Sequence, residues 1–557
     1  MKKLLALLLA LAMLFSVATL FAGCEDSGKK KVSSSKNDDI EDEEDNEGDD
    51  NNGSGTQATL PPLQIGVENK AYGDEFAKKL AEAFEAKTGI DTMVVKSQSS
   101  DWTETALLAG PKNNQIDVFF DINNLAMKNL ATKNYVDGYE RIYADLSDIY
   151  NAPLEGYNTD KPLKEMVFPY SLDACTWGGA DAGYGDGKQY FVNWASGVEG
   201  IVYNKTLFAK YGLSVPKTTN EMLKLMDQMK ALNAKNADGY DIYPFAYSGK
   251  ANYLHYPQLV WWAQYDGIDT FNNTLQGKDA NGNYAAESQK TTGKLSSFSI
   301  VAQMLDVEKK YADPNSSSIS FTDAQVFFLA EQSFMMATGD WLEREMSTNF
   351  EGNMEIAFMP IPVNSSIIDK CPSITDDAQL MQVIAYIDGE TAEKPAFVSD
   401  ADLAFVKSAR SMYCCEGNQH ICYIPAYSNN IENAKKFIQF MLSKEGQEIM
   451  LQYSYGNMAM LNVDPTQFNY YKSLSNLQKS KLTIMQGGDG ATFVGKNYVH
   501  PMYYAGGMEL CYNIMEIAFG VEKTSGSYKT AKQFWENEYS MISSKYSTIM
   551  SQAGVSN

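Results

Sequence analysis

Three histidines, seven cysteines and seventy carboxylates are the residues on which this chain could build catalysis or hold a metal. A nucleophile needs a base beside it, yet His255, His420 and His500 stand in no recognisable motif, and neither a G-x-S-x-G elbow nor a Walker loop occurs. Cys414-Cys415, His420 and Cys422 cluster, but metal ligands usually repeat as C-x2-C or H-x3-H so that the side chains converge. Free thiols or a local disulfide explain them better. Asp279-Ala280-Asn281-Gly282-Asn283 suggests calcium, but its glycine comes too early for an EF-hand loop and the segment reads as a hairpin turn. Glycoside hydrolysis needs only two carboxylates across a cleft, so counting does not exclude it; nothing in the pattern supports it. No metal and no cofactor are expected.

One stretch suggests binding. Met335-Met336-Ala337-Thr338-Gly339-Asp340-Trp341-Leu342-Glu343 runs from an apolar strand through a glycine to an aromatic followed by charge. A glycine lets the chain turn where a strand ends, and an aromatic placed there can present its face to a cleft. The alternative is an ordinary core tryptophan, the reading given to Trp177, Trp261, Trp262 and Trp535.

The elements that would position such a residue follow from periodicity. Leu63-Gln64-Ile65-Gly66-Val67 alternates as a strand. Phe76, Ala77, Leu80 and Phe84 share one face of a helix that Gly89 should stop. A strand over 90–96, a helix opened by Ser100-Asp101-Trp102 and a strand over 116–120 complete a β-α-β-α-β run. Such a run implies a parallel sheet with right-handed crossovers, whose ligands meet the loops at the strands' carboxyl ends. Here those loops are 68–72, 98–102 and 121–124. A second unit begins after Gln189-Tyr190-Phe191-Val192. In it, Thr218-Thr219-Asn220-Glu221 is a capping box opening a helix with Met222, Leu225, Met226, Met229 and Leu232 on its apolar face. Asn429-Asn430 could cap a helix carrying Ala434, Phe437, Ile438, Met441 and Leu442.

Lys2 and Lys3, an apolar run over 4–21 and Ala22-Gly23 before Cys24 have the order of a secretory signal peptide, with an uncleaved anchor as the alternative. Leu20-Phe21-Ala22-Gly23-Cys24 resembles a bacterial lipobox, so a lipid on Cys24 is expected to hold the mature chain at a membrane surface. Residues 25–60 carry twelve acidic and four basic side chains and little apolar surface, the composition of a disordered stalk. The remaining body is still acidic within a chain of net charge −24, which disfavours nucleic-acid binding. At about 500 residues it exceeds one hydrophobic core and calls for two lobes.

Several stretches in order resemble the family 1 extracellular solute-binding proteins, sugar-binding lipoproteins of bacterial ABC importers that include maltose-binding protein. They are Phe84 to Ile90 (FEAKTGI), Ile116-Asp117-Val118, Asp186-Gly187-Lys188-Gln189-Tyr190, Val202 to Phe208, Tyr211 to Thr218, Met335 to Trp341, and Ser428 to Ile438 with Ser443 to Gln447. Extra sequence around 141–180, 269–320, 363–418 and 465–492 departs from the typical family length. The resemblance implies an α/β, two-lobed periplasmic-binding-protein type II fold with hinge strands around a ligand cleft. Its expected divisions are signal peptide 1–23, stalk 24–60, first lobe 61–192, second lobe 193–365, a return to the first lobe over 366–455, and second-lobe helices over 456–557.

It also implies a function: capture of a carbohydrate, delivery to ABC permease subunits, no catalysis, and a monomer outside the cell. Trp341 becomes the second-lobe tryptophan that stacks on a sugar ring, since a pyranose pairs an apolar face with a hydroxyl rim. Further ligand contacts implied are Glu68, Asn69 and Lys70 after the first strand, Asp121 and Asn123 after the third, Tyr253 in the second lobe, Tyr503 and Tyr504 late in the chain, and Trp102 and Trp194. A binder of a non-sugar ligand, a sensor, and a secreted glycoside hydrolase are the competing readings.

Overall fold

Alternating Leu63, Ile65 and Val67 enter the core together as strand β1 (Leu63–Glu68), an inner strand of the first of two sheets. The computed structural model describes residues 61–97, 102–122, 136, 138–139, 141–178, 185–251, 253–348, 354–415, 420–486, 491–495, 500, 502, 519 and 530–555. The expected leader and stalk with Cys24, and also Asn123, Tyr503 and Tyr504, lie outside them.

β1 pairs in parallel with β2 (Thr92–Ser97) and β3 (Val118–Asp121), as the β-α-β-α-β pattern requires. The sheet order is β2-β1-β3-β10-β4, with β4 at Val192–Asn193 and β10 (Ile421–Tyr423) antiparallel to both neighbours. The helix Glu75–Thr88 covers this sheet through Phe76, Ala77, Leu80 and Phe84, of which Phe76, Leu80 and Phe84 each contribute about 1.5–3 kcal/mol on full burial. Gly89, at φ 71°, ends it by donating its N–H to the Glu85 carbonyl.

The second sheet contains β5 (Val198–Asn204), β6 (Tyr243–Ala246), β7 (Ser333–Gly339), β8 (Ile356–Phe358), β9 (Met412–Cys415) and β11 (Thr492–Val494). Its order is β11-β9-β5-β7-β6, with β8 also on β5. The chain therefore passes between the sheets three times. It crosses over residues 194–197, returns between Cys415 and Ile421, and leaves again between the helices Lys444–Tyr453 and Asn476–Gln486. Two sheets joined by three such passages form the expected two-lobed α/β fold.

The return comes later than the division at 365/366. β9 forms its ladder with β5, pairing Cys415 with Val198, and residues 363–409 build a small core of their own around Leu380, Val383, Ile384 and Val406 against Tyr265. Sequence could not show this, because only the returning helix carried a recognisable pattern.

Two local expectations also change. Leu232 sits past the end of the helix Thr219–Ala231 and is exposed, while Met222, Leu225, Met226 and Met229 are buried. Asn430 occupies the N-cap position of the helix Ile431–Leu442 without capping it: its Oδ1 accepts from the Asn433 side-chain amide, and its own Nδ2 donates to the Pro61 carbonyl. The Thr218 cap forms, but Glu221 closes it on the N–H of Lys217, one residue earlier than a capping box would. Among the described residues no helix is long and apolar enough to cross a membrane.

Candidate functional site

All seven residues of β7 are buried, so Trp341 is launched from a rigid base at the carboxyl end of the strand. Gly339 is not needed there for a left-handed turn, since its φ is not positive. It is needed for space. A Cβ on Gly339 would lie 2.2 Å from Cη2 and 2.3 Å from Cζ3 of Trp341, because the indole folds back over the glycine. The ring is 9% exposed and is flanked edge-on by Tyr253 at 6.1 Å and Tyr256 at 6.3 Å between centroids. Gly339→Ala must push the indole off this seat, so a binding role for Trp341 predicts roughly tenfold weaker ligand binding, about 1.4 kcal/mol, with the tryptophan still present. Isothermal titration of the variant against wild type measures it.

On the first lobe, Glu68 ends β1 at 1% exposure. Its Oε1 accepts from the Thr103 hydroxyl at 3.4 Å, and its Oε2 lies 3.5 Å from Lys70 Nζ. Asn69 and Lys70 follow in the same loop, with the Asn69 N–H donated to the Ser97 carbonyl. Asp121, at the end of β3, accepts from the Tyr423 hydroxyl at 3.3 Å. Burial, with Asp121 beside it, holds the Tyr423 hydroxyl far above its usual pKa.

Trp102 and Trp194 face inward. Trp102 Cη2 lies 2.9 Å from where a Cβ of Gly66 would be, against β1. Trp194 is 1% exposed, stacks on Phe76 at 4.8 Å and donates its N–H to the Asp121 carbonyl. Both rings are packed on the first-lobe sheet.

Two contacts join the lobes beside these residues. The Tyr72 hydroxyl donates to Asp340, and the Arg344 guanidinium lies against Gly73. The loop after β1, which carries Glu68 and Lys70, therefore meets the end of β7, which leads into Trp341. Tyr72, Tyr256 and Asp340 were not singled out by sequence. Each adjoins a residue or loop that was, but only the fold brings them together.

Among the described residues no group of three or more His, Cys, Asp or Glu could hold a metal ion. Cys414, Cys415 and Cys422 are buried free thiols on β9 and β10, and the Cys415 thiol donates to the Ser196 carbonyl at 2.7 Å. Asp279 closes its turn by accepting from the N–H groups of Asn281 and Asn283.

Residues 79–469 match the family described as bacterial extracellular solute-binding protein. The chain belongs to that family. A multiple sugar-binding protein of Streptococcus mutans is 30% identical to this solute-binding protein over 156 residues, 28% of this chain and 34% of the relative. The match thus spans about a third of that relative's length. Solved structures share the fold at low identity. RafE in complex with raffinose superposes with a TM-score of 0.51 at 15% identity, over 87% of this chain and 99% of that one. The substrate-binding protein Lmo0181 of Listeria monocytogenes, in complex with cycloalternan, gives 0.53 at 15% identity over 89% and 99%.

Proposed function

We propose that this solute-binding protein is a lipid-anchored receptor that captures a carbohydrate between its lobes and hands it to the permease of an ABC importer, without chemical change. The observation that carries the reading is that the loop holding Glu68, Asn69 and Lys70 meets the end of β7 through Tyr72 and Asp340, next to the aromatic group of Trp341, Tyr253 and Tyr256. A flat aromatic suits the apolar face of a sugar, and carboxylate, amide and ammonium groups suit its hydroxyl rim. The sugar ligands named for RafE and Lmo0181 and the name of the Streptococcus mutans relative support a carbohydrate over other solutes. Asn123, Tyr503 and Tyr504 remain proposed contacts from outside the described residues.

The test is a thermal-shift screen of mono- and oligosaccharides with purified protein. A cognate sugar at 100 times its dissociation constant stabilises the folded state by about 2.7 kcal/mol. Labelled oligosaccharide should be recovered intact; carboxylate-dependent turnover would overturn the binding-only reading in favour of a hydrolase. Anchoring is tested separately. Cys24→Ala should release the protein from membranes or block its processing, whereas unchanged membrane association, with no lipid found by mass spectrometry, would refute the lipid.

A further inference from the structure

Asp340, the residue before Trp341, is the point at which both lobes and two of the three passages meet. Its Oδ1 accepts from the Tyr72 hydroxyl of the first lobe. Its Oδ2 accepts from Lys481 Nζ at 3.0 Å and from Asn457 Nδ2 at 3.3 Å, with the Ser196 hydroxyl oxygen 3.4 Å away. Ser196 lies in the first passage and Asn457 in the third, and the two are bonded to each other at 2.6 Å. Tyr72 is 1% exposed, and its ring lies edge-on to Trp194 at 5.6 Å and 5.1 Å from His420, which border the first and second passages.

We infer that the Tyr72–Asp340 hydrogen bond is a closure latch, made when the lobes shut on ligand and broken when they part. The partners divide by where they are mounted. Lys481 is carried by the helix Asn476–Gln486, which packs on β8 of the second lobe, so its ion pair with Asp340 travels with that lobe. Ser196 and Asn457 belong to the passages, about which the lobes must rotate, and a small rotation displaces them least. Tyr72 is mounted on the loop after β1 and moves with the first lobe. Of the bonds to Asp340, its bond is the one that opening must break. The carboxylate loses no counter-charge when this bond breaks, because Lys481 stays, so parting Tyr72 from Asp340 leaves no unpaired buried charge. The latch residue also adjoins Trp341 in the chain, so an aromatic held against ligand keeps Asp340 in place to receive Tyr72.

This inference rests on the reading that the lobes close on a sugar, and the experiment separates the two. Tyr72→Phe removes the hydroxyl and keeps the ring in its seat. Wild type and variant are mixed with raffinose, maltotriose and galactose in stopped flow, followed by tryptophan fluorescence, and the radius of gyration is measured by small-angle scattering with and without the same sugars. A bond to a charged acceptor predicts dissociation faster by roughly tenfold or more, association changed by less than about threefold, and an unchanged ligand-free melting temperature. A variant whose dissociation rate stays within twofold of wild type overturns the latch. So does one that loses the same stability with and without sugar, because the bond is then a fixed pivot. Wild type that binds no sugar of the panel overturns the carbohydrate reading and the latch with it, whereas wild type that binds with an unchanged radius of gyration overturns the latch alone.

Discussion

Replacing Trp341 by alanine is expected to weaken saccharide binding at least roughly thirtyfold, about 2 kcal/mol, while the ligand-free protein loses less stability than a core tryptophan would. The indole rests on Gly339 with Tyr253 and Tyr256 at its edges, all on the second lobe, and it follows Asp340, which Tyr72 of the first lobe reaches, so it lies at the edge of its lobe and not at the centre of a core. A tryptophan inside a permanent core behaves differently, since truncation to alanine costs about 3–5 kcal/mol of stability.

Trp261 is the control: it is fully buried and its N–H is donated to the Pro362 carbonyl at 3.0 Å. Titration calorimetry and urea unfolding on Trp341→Ala and Trp261→Ala should show the losses in opposite observables. Trp341→Phe should retain part of the affinity, because a smaller ring still stacks. Should Trp341→Ala lose as much stability as Trp261→Ala and keep its affinity, Trp341 is a core residue and the binding wall must be sought around Tyr253.

Glu538→Ala is expected to destabilise the protein by about 3–5 kcal/mol without altering the sugar specificity of whatever remains folded. Glu538, on the helix Ala531–Ala553, meets Lys294 at 2.8 Å with the two side chains 4% and 1% exposed. Burial raises the Glu538 carboxyl pKa, and the Lys294 charge opposes the rise. Lys294 also lies over the Trp262 ring at 5.1 Å and within 3.5 Å of Gln289 Oε1, contacts too weak to replace a carboxylate. Removing Glu538 leaves an ammonium inside an apolar contact between helices. Replacing both partners, as Lys294→Met with Glu538→Leu, should recover most of the loss, because two apolar side chains need no counter-charge. Urea midpoints of the single and double variants measure both effects; equal destabilisation by each would mean that the pair acts through packing alone.

The late return of the chain and the knot around Asp340 show where sequence reading stops. The periodicity of 63–120 identified strands, helices and their parallel order, because each of those features is local: side chains alternate or repeat along one element, and a glycine such as Gly89 ends a helix by its own backbone freedom. Thr218 and Gly89 acted as read for the same reason. Asn430 did not: its oxygen accepts from the Asn433 side chain, and its nitrogen donates to the Pro61 carbonyl, 369 residues away in sequence.

Sequence alone thus determined the family, the two-lobed α/β class, most of the helix faces and the aromatic at the end of β7, all carried by local pattern and ordered motifs. Tertiary structure alone decided that Gly339 is a seat for the indole, that Trp194 belongs to the first-lobe packing, that β9 stays with the second sheet, and that Tyr72, Asp340 and Lys481 converge. The reason is separation along the chain. A side chain's partners 141 or 268 residues away leave no periodic trace near it, and only the folded backbone brings them within hydrogen-bonding distance.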